Sequence, residues 1–155
     1  MKHLTHISVL AASLFLSSHV VAQTVAITNS WVRATVQGQK ATGAFMTVTS
    51  KENAKLVTVS SPVAGIAEIH EMKMEKDVMK MAALPNGLDL PAGKAVDLKP
   101  GGFHIMLMDL KLPLQKDTSI ALTLRFKDAK GVESRLDIKV PVSQVAPAGE
   151  KKHQH

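Results

Sequence analysis

The sequence predicts an all-β domain, a sandwich or barrel of many short strands. Apolar and polar residues alternate at period two along most of the chain. Turn-forming clusters (VQGQK, SKENAK, LPNG, LPAGK and KPGG) cut the chain at short intervals. No segment keeps helical periodicity over several turns. Many short strands with regular turns are the signature of two packed sheets or a closed one.

Residues 1–22 read as a cleaved export signal. MKHLTH is short and positive, ISVLAASLFL is an apolar run of signal-core length, and Val20 and Ala22 occupy the small-residue positions before the cut. The run is too short to span a bilayer comfortably, and no later stretch is long enough, so no stable membrane insertion is expected after cleavage. No cysteine follows the run, which excludes a lipid-anchored form. Strands are expected at residues 25–28, 31–35, 43–49, 56–60, 66–74, 78–82, 95–98 and 103–110. The clearest pair comes last. SIALTLRF sets Ile120, Leu122, Leu124 and Phe126 on one face, and VESRLDIKV does the same with Val132, Leu136, Ile138 and Val140. KDAKG between them has hairpin-turn composition. The domain then covers residues 23–145, and residues 146–155 form a polar, unpatterned tail.

A chain of 155 residues, 45% hydrophobic, is one domain with one core. Aromatics are only 3%, so aliphatic side chains build that core. Exported small domains often carry disulfides; with no cysteine, this one relies on its core, and any metal site must do without thiolate. The formal charge is +6, or +5 once Lys2 leaves with the signal. Nucleic acid does not explain it, because the chain is exported, poor in aromatics and without a basic cluster. A solvated basic surface does.

Half of the eight methionines fall within HEMKMEKDVMKM, residues 70–81. As a hairpin, this stretch turns His70, Met72 and Met74 to one face and Glu71, Lys73 and Glu75 to the other. A two-residue turn at Glu75-Lys76 sets His70 opposite Met81, whereas a turn at Lys76-Asp77 sets Met72 opposite Met81. Neither turn has the glycine that such hairpins favour. GGFHIMLMDL repeats the chemistry: Phe103, Ile105 and Leu107 share one face, and His104, Met106 and Met108 the other. His70 and His104 are the only histidines between residue 23 and the tail, and each is followed two residues on by a methionine. Methionines in a strand are commonly packing, but two His-x-Met strands point to a ligand set. Thioethers are soft and imidazole is borderline, so the set favours Cu(I) over Zn(II), Mg(II) or Ca(II). A blue-copper site needs a cysteine. Neutral ligands leave the copper charge uncompensated, which suits a carrier better than a store.

At these residues the sequence resembles the periplasmic copper chaperones called PCuAC, which carry a spaced His…Met…His-x-Met motif. Here the motif reads His70, Met81, His104 and Met106. WVRAT, TGAFMTV, HEMKM, GLDLPAGKAVDLKPGGFHIMLM and LPLQKD extend the likeness over most of the domain. The resemblance implies a cupredoxin-like Greek-key β-sandwich that binds Cu(I) through His70, Met81, His104 and Met106. It implies transport through the periplasm to the CuA centre on cytochrome c oxidase subunit II, alongside Sco-type copper proteins. Met72 reads as an accessory ligand or neighbour; Met74, Met79 and Met108 read as packing. Some relatives bind Cu(II) on a His- and Met-rich tail, for which this tail offers only His153 and His155. Two other readings stand beside this one, a general periplasmic copper buffer for tolerance and a non-metal structural β-domain. An enzyme is not expected, since no nucleophile triad or carboxylate pair is evident.

Overall fold

The structure, a computed structural model, describes residues 24–147, so the expected signal and the tail histidines lie outside the described residues. Every regular element described is a strand: β1 (Val25–Arg33), β2 (Ala41–Ser50), β3 (Ala54–Ser60), β4 (Ala64–Glu75), β5 (Val78–Ala83), β6 (Leu88–Leu90), β7 (Ala95–Leu98), β8 (Phe103–Leu110), β9 (Ser119–Asp128) and β10 (Glu133–Ser143). They run in the order β5-β4-β8-β7-β2-β1-β10-β9-β3-β6, and β8 also pairs with β2. The sheet folds into two layers at a short parallel pairing of β1 with β10, at Val32–Val142 and Arg33–Ser143.

The core fills the space between the layers. Val32, Ala44, Met46, Val48, Ile69, Ile105 and Leu107 enter from one side and Leu56, Leu122, Leu124, Phe126 and Val140 from the other, all buried. The strict alternation of β9 puts all four of its predicted apolar residues inside. In the predicted β9–β10 hairpin, Asp128 Oδ1 accepts the backbone N–H groups of Lys130 and Val132, both at 2.8 Å, while Gly131 takes φ +83°. On the outer face of this pair Asp137 lies opposite Thr123. Hydrogen bonds from Thr123, then Arg135, hold its carboxyl below the ordinary carboxylate range.

Three details differ from the sequence expectation. Residues 25–28 and 31–35 are not two strands but one, interrupted by a bulge at Asn29 and Ser30, where the register with β2 shifts. Asn29 takes φ +52°, a conformation that asparagine tolerates better than most residues. The strand β6 was not expected. At three residues it is too short to show alternation, yet Leu88 and Leu90 are buried and Asp89 pairs with Lys55 at 3.1 Å. Val132, placed on the inner face from its sequence pattern, lies in the turn and is exposed.

Candidate metal centre

The site forms where β4, β5 and β8 lie side by side. Ile69 and Ile105 point into the core, so their neighbours His70 and His104 project from the outer face of the sheet. The two histidines are directly opposite each other in the β4–β8 ladder, with ring centroids 5.8 Å apart. Both are nonetheless buried, 8% and 6% exposed. The β4–β5 hairpin turns at Lys76-Asp77, pairing Met72 with Met81 and Met74 with Met79. Of the two registers open in the sequence, this is the one that sets Met72 opposite Met81. Lys76 and Asp77 both have positive φ, +50° and +62°, as a type I′ turn requires. Without glycine each pays a steric penalty, on the order of 1 kcal/mol.

The ring partners assign the tautomers. The Nδ1–H of His104 donates to the carbonyl of Gly102 at 3.0 Å. Its bare Nε2 then faces Met81 Sδ at 3.1 Å. Nitrogen and sulfur thus present lone pairs to each other. The Gly102 carbonyl also accepts the backbone N–H of Met72 at 3.1 Å, tying β4 to the turn before β8. That turn depends on Gly101 at φ +82°. In His70 the roles are reversed. Its Nε2–H donates to the Glu68 carboxylate at 2.7 Å, while Nδ1 is buried without a hydrogen-bond partner. A buried polar atom without a partner is costly, and a lone pair left open in this way is available to a cation.

Met106 and Met72 join His104 in an open cleft of about 200 Å³, bounded by Arg33, Phe45 and the Pro100-Gly101 turn. Met106 lies opposite Gly43. A Cβ on Gly43 would run into the Phe45 ring, so glycine lets that ring fold back beside the cleft. Phe45 in turn stacks on Trp31 at 4.7 Å, with the Arg33 guanidinium 5.6 Å from the Phe45 centroid.

The structure thus gathers His70, His104, Met81, Met72 and Met106 around one end of the β4–β8 pair. Among the described residues no three His, Cys, Asp or Glu side chains converge as a metal cage. A cation bound here would therefore depend on the thioethers. Met74 and Met79, expected as packing, are instead exposed at 61% and 45%. The sequence reading also missed Glu68. The signal was present, since Glu68 stands two residues before His70 and so shares its face.

The model of the LpqE-like family, described as "Putative lipoprotein LpqE-like", matches residues 25–142. The chain belongs to the LpqE-like family. "Putative lipoprotein Lxx21020" of Leifsonia xyli subsp. xyli (strain CTCB07) is 34% identical over 126 residues, covering 81% of this chain and 74% of that one. "Uncharacterized protein RP573" of Rickettsia prowazekii (strain Madrid E) is 34% identical over 103 residues, 63% of this chain and 57% of that one. The sequence contains no cysteine. Among solved structures, the copper-bound PCuAC domain from PmoF2 superposes with a TM-score of 0.60 at 23% identity, over 81% of this chain and 95% of that domain. The solution structure of CuI-DR1885 from Deinococcus radiodurans gives a TM-score of 0.56 at 28% identity, over 83% of this chain and 82% of that one. The fold is that of the PCuAC domains, a cupredoxin-like β-sandwich.

Proposed function

We propose that this LpqE-like protein is an exported carrier of Cu(I), held by His70 Nδ1, His104 Nε2, Met81 Sδ and Met106 Sδ. The observation that carries the reading is the set of open lone pairs: the orphaned Nδ1 of His70, and the bare Nε2 of His104 facing Met81 sulfur. Two imidazoles and two thioethers form a soft, neutral donor set, which selects Cu(I) over harder divalent ions. The 28% identity to a protein solved in its CuI form supports the same reading. Each histidine is oriented by its second nitrogen, through Glu68 in one case and the Gly102 carbonyl in the other, as metal-ligating imidazoles characteristically are. Glu68 also sets one carboxylate beside the neutral donor set, partly offsetting the copper charge. Half-exposed Met81 leaves a side open through which copper can be taken up and released.

The export signal read in residues 1–22 and the lipoprotein description of the family and of the Leifsonia xyli relative support a periplasmic location. We assign delivery to the CuA centre of cytochrome c oxidase subunit II, together with Sco-type proteins, on the family resemblance of the motif. A second ion, Cu(II), on His153 and His155 of the tail belongs to the same proposal. Anaerobic titration of the protein with Cu(I) against a competing chelator tests binding. Mixing the loaded protein with an apo CuA domain, then adding a one-electron oxidant to bring the delivered Cu(I) pair to the coloured mixed-valence state, tests delivery: growth of the CuA absorption supports it, and copper that stays on the carrier contradicts it.

A further inference from the structure

We infer that Met74 and Met79 form a second, outer Cu(I) site, a thioether pair that receives the ion and passes it along the β4–β5 hairpin to the inner site. The inference rests on the carrier reading above and adds the route by which the inner site is filled.

The hairpin has two chemically different faces. On one, Glu71 and Lys73 are 3.7 Å apart, and Glu75 pairs with Lys80 at 2.8 Å. The other carries two methionine pairs in succession, Met74–Met79 near the tip and Met72–Met81 at the site. The Met72 N–H is directed across to Gly102 in the adjoining turn, so Met72 and Met81 are a non-hydrogen-bonded pair. Met74 and Met79, two residues further along, have the same parity. In such pairs the Cα atoms are only about 4.5 Å apart and the side chains are at their closest. Each pair can therefore bring two sulfurs onto one soft ion.

Packing does not explain these side chains. All six residues of β5 are exposed, and Met74 stands 61% exposed at the end of β4. Leucine or valine would serve a buried face; an exposed face of thioethers has polarisable sulfur to offer. The donors also change along the hairpin. The outer pair offers two thioethers. The inner pair leads to His104 Nε2, 3.1 Å from Met81 Sδ, where imidazole adds a stronger donor. Movement inward exchanges one Cu–S bond for another and finally for Cu–N. Copper stays Cu(I), and no proton is released at the thioether steps.

The test is anaerobic Cu(I) titration followed through 13C-labelled methionine methyl signals, on the parent and on the double variant Met74→Leu/Met79→Leu. In the parent, the first equivalent should shift Met81 and Met106 and the second should shift Met74 and Met79. In the double variant the first event should persist with unchanged affinity, the second should vanish, and loading from a Cu(I)–chelator complex should slow. If Met74 and Met79 stay unmoved at excess copper while the inner site fills, the outer site is overturned and the carrier reading stands. If the inner site itself takes no copper, both are overturned.

Discussion

The Nε2 of His104 lies 3.1 Å from the Sδ of Met81, and the ring proton is on the other nitrogen, donated to Gly102. Two electron-pair donors face each other across a gap that a soft cation would bridge. The two residues come from strands that are not neighbours, since β4 separates β5 from β8. The contact therefore reports the register of the whole three-strand unit.

If Met81 and Met106 are ligands, leucine in their place removes a donor and keeps the volume. Met81→Leu and Met106→Leu should each weaken Cu(I) binding while costing under ~1.5 kcal/mol in stability. Chelator competition and denaturant unfolding, run on the same variants, separate the two effects. Variants that bind as tightly as the parent would make these methionines packing residues.

Glu68 should act through His70. Glu68→Ala removes the acceptor that orients the ring and should lower Cu(I) affinity about 10- to 100-fold. Glu68→Gln keeps an acceptor oxygen and should recover part of the loss. The 15N shifts of the His70 ring in the metal-free protein give an independent readout. They should show Nε2–H in the parent and a mixture of tautomers in Glu68→Ala.

Protons should compete with copper at two sites only. An imidazole must be neutral to coordinate and a thioether does not titrate, so acid weakens binding through His70 and His104 alone. The apparent affinity should fall as pH falls, by up to about tenfold per pH unit for each histidine displaced. His70→Ala and His104→Ala should each flatten that slope. Removing residues 149–155 should leave it unchanged. Chelator competition between about pH 5 and 8 measures all four proteins; a parent affinity flat over that range would exclude the strand histidines.

The turn at Lys76-Asp77 holds two non-glycine residues at positive φ. Replacing the pair by Asn-Gly supplies the residues a type I′ turn favours. The change should stabilise the fold by about 1 kcal/mol. Because the Met72–Met81 register is kept, Cu(I) affinity should not change. Thermal unfolding and chelator competition check the two halves of this prediction.

Much of this arrangement could be read in the sequence because alternation in a strand fixes faces. The runs His70-x-Met72 and His104-x-Met106 each had to share a side, and the apolar partners Ile105 and Leu107 showed which side was core. Alternation says nothing about what covers a face. The period that aligns Met74 with His70 does not show that no second layer among the described residues lies over Met74, so the pattern alone predicts packing. Hairpin register was ambiguous for a similar reason. Without glycine, either two-residue turn was open, and the choice fell to Lys76 and Asp77 accepting positive φ. The His104 tautomer depends on a carbonyl in the preceding turn, a contact that no period encodes, whereas the His70 tautomer depends on Glu68, which period two does place on the same face. Leu88–Leu90 has only three residues, too few for a pattern, and is held by its partner β3.

X-ray absorption at the copper edge of the protein loaded with one equivalent of Cu(I) tests the central claim most directly. Ligation by His70, His104, Met81 and Met106 predicts a shell of mixed nitrogen and sulfur donors, with the sulfur contribution reduced in Met81→Leu and Met106→Leu. A shell of nitrogen and oxygen alone, unchanged in both variants, would contradict it.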